Sequence, residues 1–262
     1  MTRRIWNAFR VEWSKALRNR LSYAGPLLIL ITVAAAAASP LFRGTPYSYA
    51  FVGYATSAAL NHLGFVVLLA FSATLVASDR SHGTLRLLLV RPIQRHELLL
   101  AKFLMATAYA ALLVIVTALA AWSVPMAMGE LLGVSYGGEL IYADNAMRTA
   151  YGLGMLLALL PLLAAAACGL CISVFARNNA TAVLVALGGW LTLEVIKHPL
   201  GIAPLVMTTY LEVPWRVFAS HADGVPATWM PMAATCAAVS IGTMVIALAV
   251  AIAVFRRKNL AS

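Results

Sequence analysis

The charged residues of this 262-residue chain are confined to a few short blocks, separated by long stretches that carry almost no charge. A bilayer core of about 30 Å takes roughly 20 apolar residues as helix, and windows of about 17–25 suffice. Six stretches meet that length: Leu21–Leu41, Ser57–Ala77, Phe103–Val124, Thr149–Phe175, Ala180–Ile196 and Trp229–Phe255. Together they hold one formal charge, Glu194. The chain is 62% hydrophobic and 11% charged. Soluble domains run about 45–50% apolar and about 25% charged, so a soluble globular fold is excluded. Disorder is excluded as well, because disordered chains are polar and highly charged. A formal charge of +10 in a soluble chain would point to nucleic acid. Set between spans, it points to membrane topology, and no nucleic-acid partner is expected. The predicted fold is an all-α polytopic membrane protein, a single transmembrane domain over residues 1–262.

Six spans place both termini on one side, and the excess of Lys and Arg marks that side as cytoplasmic. The N-terminal segment carries Arg3, Arg4, Arg10, Lys15, Arg18 and Arg20, and the second-to-third connection carries Arg80, Arg86, Arg91, Arg95 and Lys102. With Arg177 and the tail residues Arg256, Arg257 and Lys258, fifteen of nineteen basic residues fall on one face. Arg43, Arg148, Lys197 and Arg216 fall on the other. Trp122, Trp215 and Trp229, with Tyr47, Tyr49 and Tyr54, lie at or beyond the outer ends of spans, as an interfacial aromatic belt requires; Trp190 lies within the fifth. The first apolar run is longer than the about 7–15 residues of a signal peptide, so cleavage is not expected. The gap 198–228, interrupted by Pro199, Pro204, Pro214 and Pro226, reads as an outer loop with re-entrant or interfacial half-helices.

Two cytoplasmic elements carry most of the signal. Over residues 3–19, Ile5, Trp6, Phe9, Trp13, Ala16 and Leu17 fall within about 120° of a helical wheel, with nearly all the charges elsewhere. That pattern describes a helix lying in the membrane interface, in contact with lipid; a simple basic anchor would look the same. The connection 79–97 is too long for a tight turn and too apolar for a solvated loop. Leu85, Leu88 and Leu89 share a helical face, with Arg86 and Arg91 turned elsewhere. Gly83 permits a sharp bend, and Pro92 stops one helix and suits the first turn of the next. A short amphipathic helix on the cytoplasmic surface follows, suited to docking a soluble partner or to filling the interface.

The run Asp79-x-x-x-Gly83-Thr84-Leu85-x-x-Leu88-Leu89-x-x-Pro92-x-x-Arg95, with Ala101-Lys102 at the third span, resembles the cytoplasmic signature of type-2 ATP-binding-cassette exporter permeases. Glu12-x-x-Lys15, Ser173-Val-Phe-Ala-Arg177-Asn178-Asn179 and the closing Phe255-Arg-Arg-Lys-Asn259-Leu260 extend the resemblance along the chain. Asp79 departs from it, since the family more often has Glu there. The resemblance implies a permease that binds no nucleotide itself, consistent with the lack of a GxxxxGK[ST] loop. A separate ATPase subunit would bind ATP and Mg, and Gly83–Arg91 would be the coupling helix seated in it. Asp79, Thr84, Arg86, Leu88, Leu89, Arg91, Pro92 and Arg95 would belong to that contact. Residues 3–19 would be the connecting helix. Two permease copies, identical or related, would assemble in a bacterial cytoplasmic membrane with the first and fifth spans near the axis, where Ala34–Ala38 and Gly188-Gly189 allow close approach.

Glu194 lies roughly 21 Å along the fifth span, within reach of Lys197 and His198. An intramembrane acid is a functional candidate by default, although a locally paired carboxylate fits as well. Asn61 and His62, near the outer mouth of the second span, could line a polar vestibule on a translocation path. Pro161 is a kink point in the fourth span. Cys168-Gly-Leu-Cys171 has the CxxC spacing, but it continues the small-residue face Ala164–Ala167 and reads as packing, with no metal expected. A pore between two copies would be lined by apolar and small residues, favouring a hydrophobic or amphipathic cargo. The alternatives are a self-sufficient secondary transporter or channel and an integral membrane enzyme. Against them, no span pairs charges at the midplane, and no HExxH is present.

Overall fold

The computed structural model describes residues 2–42, 48–81, 83, 94–129, 131–136 and 139–257. These residues include nine α-helices and one hairpin, in the order α1 (Thr2–Arg18), α2 (Arg20–Ala38), α3 (Tyr49–Ser57), α4 (Phe65–Ser81), α5 (Arg95–Met128), β1 (Val134–Tyr136), β2 (Glu139–Tyr142), α6 (Asp144–Phe175), α7 (Asn179–Ile196), α8 (Val213–Ala222) and α9 (Met230–Arg257). A π-helical segment, Ala58–Gly64, joins α3 to α4. Five helices are long and apolar enough to cross a membrane: Tyr49–Ser81, Arg95–Ala127, Asp144–Phe175, Asn179–Ile196 and Pro231–Arg257. The sixth candidate is the pair Arg3–Arg18 and Ser22–Ala38, which meet at a bend of 60°.

The second, third and fourth spans overrun the hydropathy windows, and for the second and fourth the reason is pairing of polar groups. The second window began at Ser57, but the helix starts at Tyr49. Tyr49 is buried, with its hydroxyl donating to Asp144 Oδ1 at 2.8 Å, and Thr56 is bonded to the Tyr151 hydroxyl at 2.9 Å. Satisfied in this way, residues that score as interfacial sit inside the bundle. Trp215 is corrected on the same grounds. It is buried rather than in an exposed belt, and its Nε1 donates to Asn61 Oδ1 at 3.2 Å. The β1–β2 hairpin was not anticipated, since strands of three and four residues leave no period to read. The gap 198–228 does break into short pieces, two 3₁₀ turns (Ala203–Leu205, Met207–Tyr210) and α8, whose Phe218 is fully buried.

The centre of the bundle is the α4–α6 contact. Ala164, Ala165, Ala166 and Ala167 are all fully buried, so the small-residue face is a packing face, and Cys168 and Cys171 are free thiols beside it. Ser173 is fully buried and accepts hydrogen bonds from the backbone N–H groups of Val76 (2.9 Å) and Ala77 (3.0 Å), fixing the register of the two helices. At Gly169 a Cβ would lie 2.1 Å from Ser72 Oγ and 2.9 Å from the Leu69 carbonyl oxygen. Rotating Ser72 relieves the first clash, but the second is with backbone. Gly169→Ala should therefore force the helices apart and cost about 1–3 kcal/mol. The thermal unfolding midpoint checks this, and a midpoint unchanged from wild type would show that the contact is looser than described.

At the other extreme, α7 buries only Ala182 and Ala186, and a Cβ at Gly188 or Gly189 would meet nothing within 4 Å.

Candidate functional site

Glu12, Lys15, Asp79 and Lys102 come from three separate places in the chain and meet where α1 crosses the end of α4 and the start of α5. Sequence patterning puts them there. On α1 the helical repeat Ala8, Glu12, Ala16 faces the bundle and is buried, while Trp6, Trp13 and Leu17 are exposed and Ile5 and Phe9 half-buried. Trp6, Trp13 and Leu17 of the expected amphipathic face are therefore turned away from the protein, while Ala16 and Phe9 of the same face pack on the core, Phe9 stacked on Trp6 at 5.2 Å. Lys102 is only 1% exposed, and Glu12 and Asp79 are 5% and 6% exposed.

The four groups form a closed ring. Lys102 Nζ lies 3.0 Å from Glu12 Oε2 and 2.5 Å from Asp79 Oδ2, and it also donates to the Leu75 carbonyl at 2.7 Å. An ammonium has three donors, and all three are used. Lys15 Nζ closes the ring from the rim, 3.0 Å from Glu12 Oε1 and 3.0 Å from Asp79 Oδ1. Burial alone would lower the Lys15 pKa, but Glu12 and Asp79 outweigh it, so the pKa lies above its ordinary value and the ring holds two cations. Two cations and two anions make it neutral overall, the condition under which buried charges are tolerated. The shorter Asp79 side chain still reaches both lysines, so its departure from the usual Glu leaves the pairing intact.

Asp79 stands just before the segment expected to couple. Arg80, its neighbour, donates to the Ala176 carbonyl at 2.5 Å, placing a cation on the C-terminal end of α6. Across the gap, Arg95 donates to the carbonyls of Phe255 (3.3 Å) and Arg256 (3.1 Å) at the end of α9. The Glu97 carboxylate accepts from the Gln94 N–H at 3.0 Å and secures the start of α5. Gly83 has φ 68°, the left-handed bend its sequence position suggested. Thr84, Leu85, Arg86, Leu88, Leu89, Arg91 and Pro92 lie outside the described residues. Their flanks are thus tied to α1, α6 and α9. Asn178 caps α7, accepting from the Thr181 N–H at 2.8 Å, which accounts for the Arg177-Asn178-Asn179 turn.

Sequence reasoning placed Asp79 and Arg95 in a partner contact and did not see the ring. Glu12, Lys15 and Lys102 enter the sequence only as parts of the resemblance, in Glu12-x-x-Lys15 and Ala101-Lys102, with nothing linking one motif to the other.

The three path candidates are not joined by any hydrogen bond or ion pair among the described residues. Asn61 is buried, donating to Ser57 Oγ at 2.9 Å and accepting from Trp215, whereas His62 is exposed. Both lie in the π-helical segment, a geometry frequent at functional positions. Glu194 is ion-paired with the buried Lys197, as expected, and accepts from the Thr208 hydroxyl at 2.8 Å; Thr208, not His198, is its second partner. Glu194→Gln keeps an acceptor for Thr208 but removes the counter-ion of Lys197. It should cost about 1–3 kcal/mol in stability and leave transport per folded molecule near wild type. Melting and vesicle transport measured together check this. Lost transport with unchanged melting would place Glu194 on the substrate path instead.

A family model described as "ABC-2 family transporter protein" matches residues 8–191. No curated protein matches the chain.

Proposed function

Because the chain belongs to the ABC-2 family of transporter proteins, we propose that it is the permease subunit of an ATP-driven exporter, working with a separate ATPase subunit that binds ATP and Mg. The observation that carries this reading is the anchoring on either side of residues 84–93. A partner pushing on that segment would act at once on α4 and α5. The ring of Glu12, Lys15, Asp79 and Lys102 would pass the displacement to α1, and Arg80 and Arg95 would pass it to α6 and α9. A packed interior is stiff and transmits such a displacement rather than absorbing it.

The basic end then faces the cytoplasm, α1 lies in the membrane interface, and a second permease copy packs on the open faces of α2 and α7. Localisation in a bacterial cytoplasmic membrane accords with the family and the distribution of basic residues. The exposed apolar faces favour a hydrophobic or amphipathic cargo such as a drug, peptide or lipid-like molecule. A self-sufficient transporter would need charged or polar groups converging at mid-bundle. Among the described residues the ion pairs instead lie toward helix ends, at Lys102 and Asp79 on one side and Asp144 and Glu194 on the other.

The test is co-purification and reconstitution. An ATPase subunit should accompany the permease at fixed stoichiometry, and cargo movement in vesicles should require ATP. Transport by the permease alone, driven by an ion gradient, would overturn the reading.

A further inference from the structure

Between the second half of α1, the last turns of α4 and the first turn of α7 lies a cleft of about 520 Å³. Ala16 of α1 with Phe71 and Leu75 of α4 makes one part of its wall apolar, and the charge ring makes another. The ring presents no unpaired negative charge there, because Lys15 and Lys102 between them engage all four oxygens of Glu12 and Asp79. Its exposed member is a cation. The Lys15 side chain is 42% exposed and, among the described residues, commits two of its three ammonium donors to the ring. Arg18, also in the lining, is exposed and has no ion-pair partner among the described residues. Both side chains also border a hollow on the solvent-facing side of α1 beside Arg10, and no acidic side chain is among its described lining residues. Since the ring is neutral, Arg18 leaves the cleft with an excess of positive charge. The remaining polar group is an acceptor. Asn179 Oδ1, at the start of α7, is buried and lacks a hydrogen-bond partner among the described residues.

We propose that this cleft binds one anionic amphiphile, a phosphate monoester carrying an alkyl tail. Its identification as the exported cargo rests on the reading above, whereas the binding does not. Each feature of the cleft answers a part of that molecule. Arg18 takes phosphate oxygens with paired donors, and the remaining donor of Lys15 takes another. Near pH 6 about half of a monoester keeps one O–H, and that O–H donates to Asn179 Oδ1, satisfying an acceptor otherwise buried without a partner. An ionised carboxylate would suit the two cations but has no donor to offer Asn179. The tail lies along Ala16, Phe71 and Leu75, held by the burial of apolar surface. The volume of the cleft falls within the about 300–1,000 Å³ of small-molecule sites.

Binding of radiolabelled dodecyl phosphate to the purified full-length chain, in a neutral detergent at pH 6, tests the site. The competitors are dodecylphosphocholine, which has the same tail but no net charge and no O–H, and inorganic phosphate, which has no tail. The wild type should bind one dodecyl phosphate saturably, and each competitor should displace it about tenfold less well than unlabelled dodecyl phosphate does. Arg18→Gln should weaken binding about tenfold, the loss of one charge-assisted contact. Arg20→Gln, at an exposed neighbour outside the lining, should leave it unchanged. Thr74→Phe, which fills the cleft, should abolish it. Uptake that does not saturate overturns the proposal, and so does binding that survives Arg18→Gln. Equal losses with Arg18→Gln and Arg20→Gln overturn it in favour of diffuse attraction to a basic surface. Equal displacement by dodecylphosphocholine would make the site merely apolar, and equal displacement by inorganic phosphate would make it a free-anion site; either overturns the amphiphile. The Arg18 variant, at an exposed position, decides the matter even if Thr74→Phe fails to fold. No ATPase enters this assay, so the two readings fail separately. Saturable binding in a chain that shows no ATP-driven transport would keep the site and remove the exporter, and ATP-driven transport without such binding would do the reverse.

Discussion

Replacing Lys102 with Met should destabilise the bundle by about 3–5 kcal/mol, the cost of removing one partner from a buried ion cluster. Lys102 uses all three of its ammonium donors, on Glu12, Asp79 and the Leu75 carbonyl. Without it, two buried carboxylates face the single, half-exposed ammonium of Lys15, and the ring carries a net negative charge. Whole domains are stable by only about 5–15 kcal/mol, so membrane levels and the melting midpoint should both fall sharply. The double variant Glu12→Gln with Lys102→Met restores neutrality, leaving Lys15 paired with Asp79, and should recover much of the loss. That rescue separates a charge effect from a packing effect, because the exchange of the Lys102 side chain for that of Met is common to both variants. A single variant as stable as wild type would mean that the ring contributes nothing. A double variant no better than the single would mean that lost packing, not charge, is the cause.

Replacing Leu85 and Leu88 together with Asp should release the ATPase partner while leaving insertion of the permease unchanged. Burying a Leu contributes about 1.5–3 kcal/mol, so two contribute about 3–6 kcal/mol, a hundredfold or more in affinity. Arg86→Ala should be milder, since an exposed ion pair is worth about 0–1 kcal/mol. The measurement is ATPase retained on the purified permease, with transport in vesicles alongside. Retention and transport both at wild-type levels in the double Asp variant would show that residues 84–93 do not couple, and that the anchoring at Asp79 and Arg95 serves the bundle alone.

The membrane-spanning character of this chain was legible in the sequence, and so were the approximate places of its spans, because transfer of apolar residues out of water is summed locally along a window. The exposure of Trp6, Trp13 and Leu17 on α1 and the bend at Gly83 follow from helical periodicity and backbone freedom, which are properties of neighbouring residues. The tertiary structure decided everything that depends on a distant partner. Tyr49 and Thr56 are inside a helix because Asp144 and Tyr151 wait for them across the bundle, and Trp215 is buried because Asn61 accepts from it. The ring is the clearest case. Nothing within reach of Lys102 along the chain predicts that it meets Glu12, ninety residues away, or that it meets Asp79 at the same time. A buried charge is stable only when its counter-charge arrives from elsewhere in the fold, and a local pattern carries no record of that arrival.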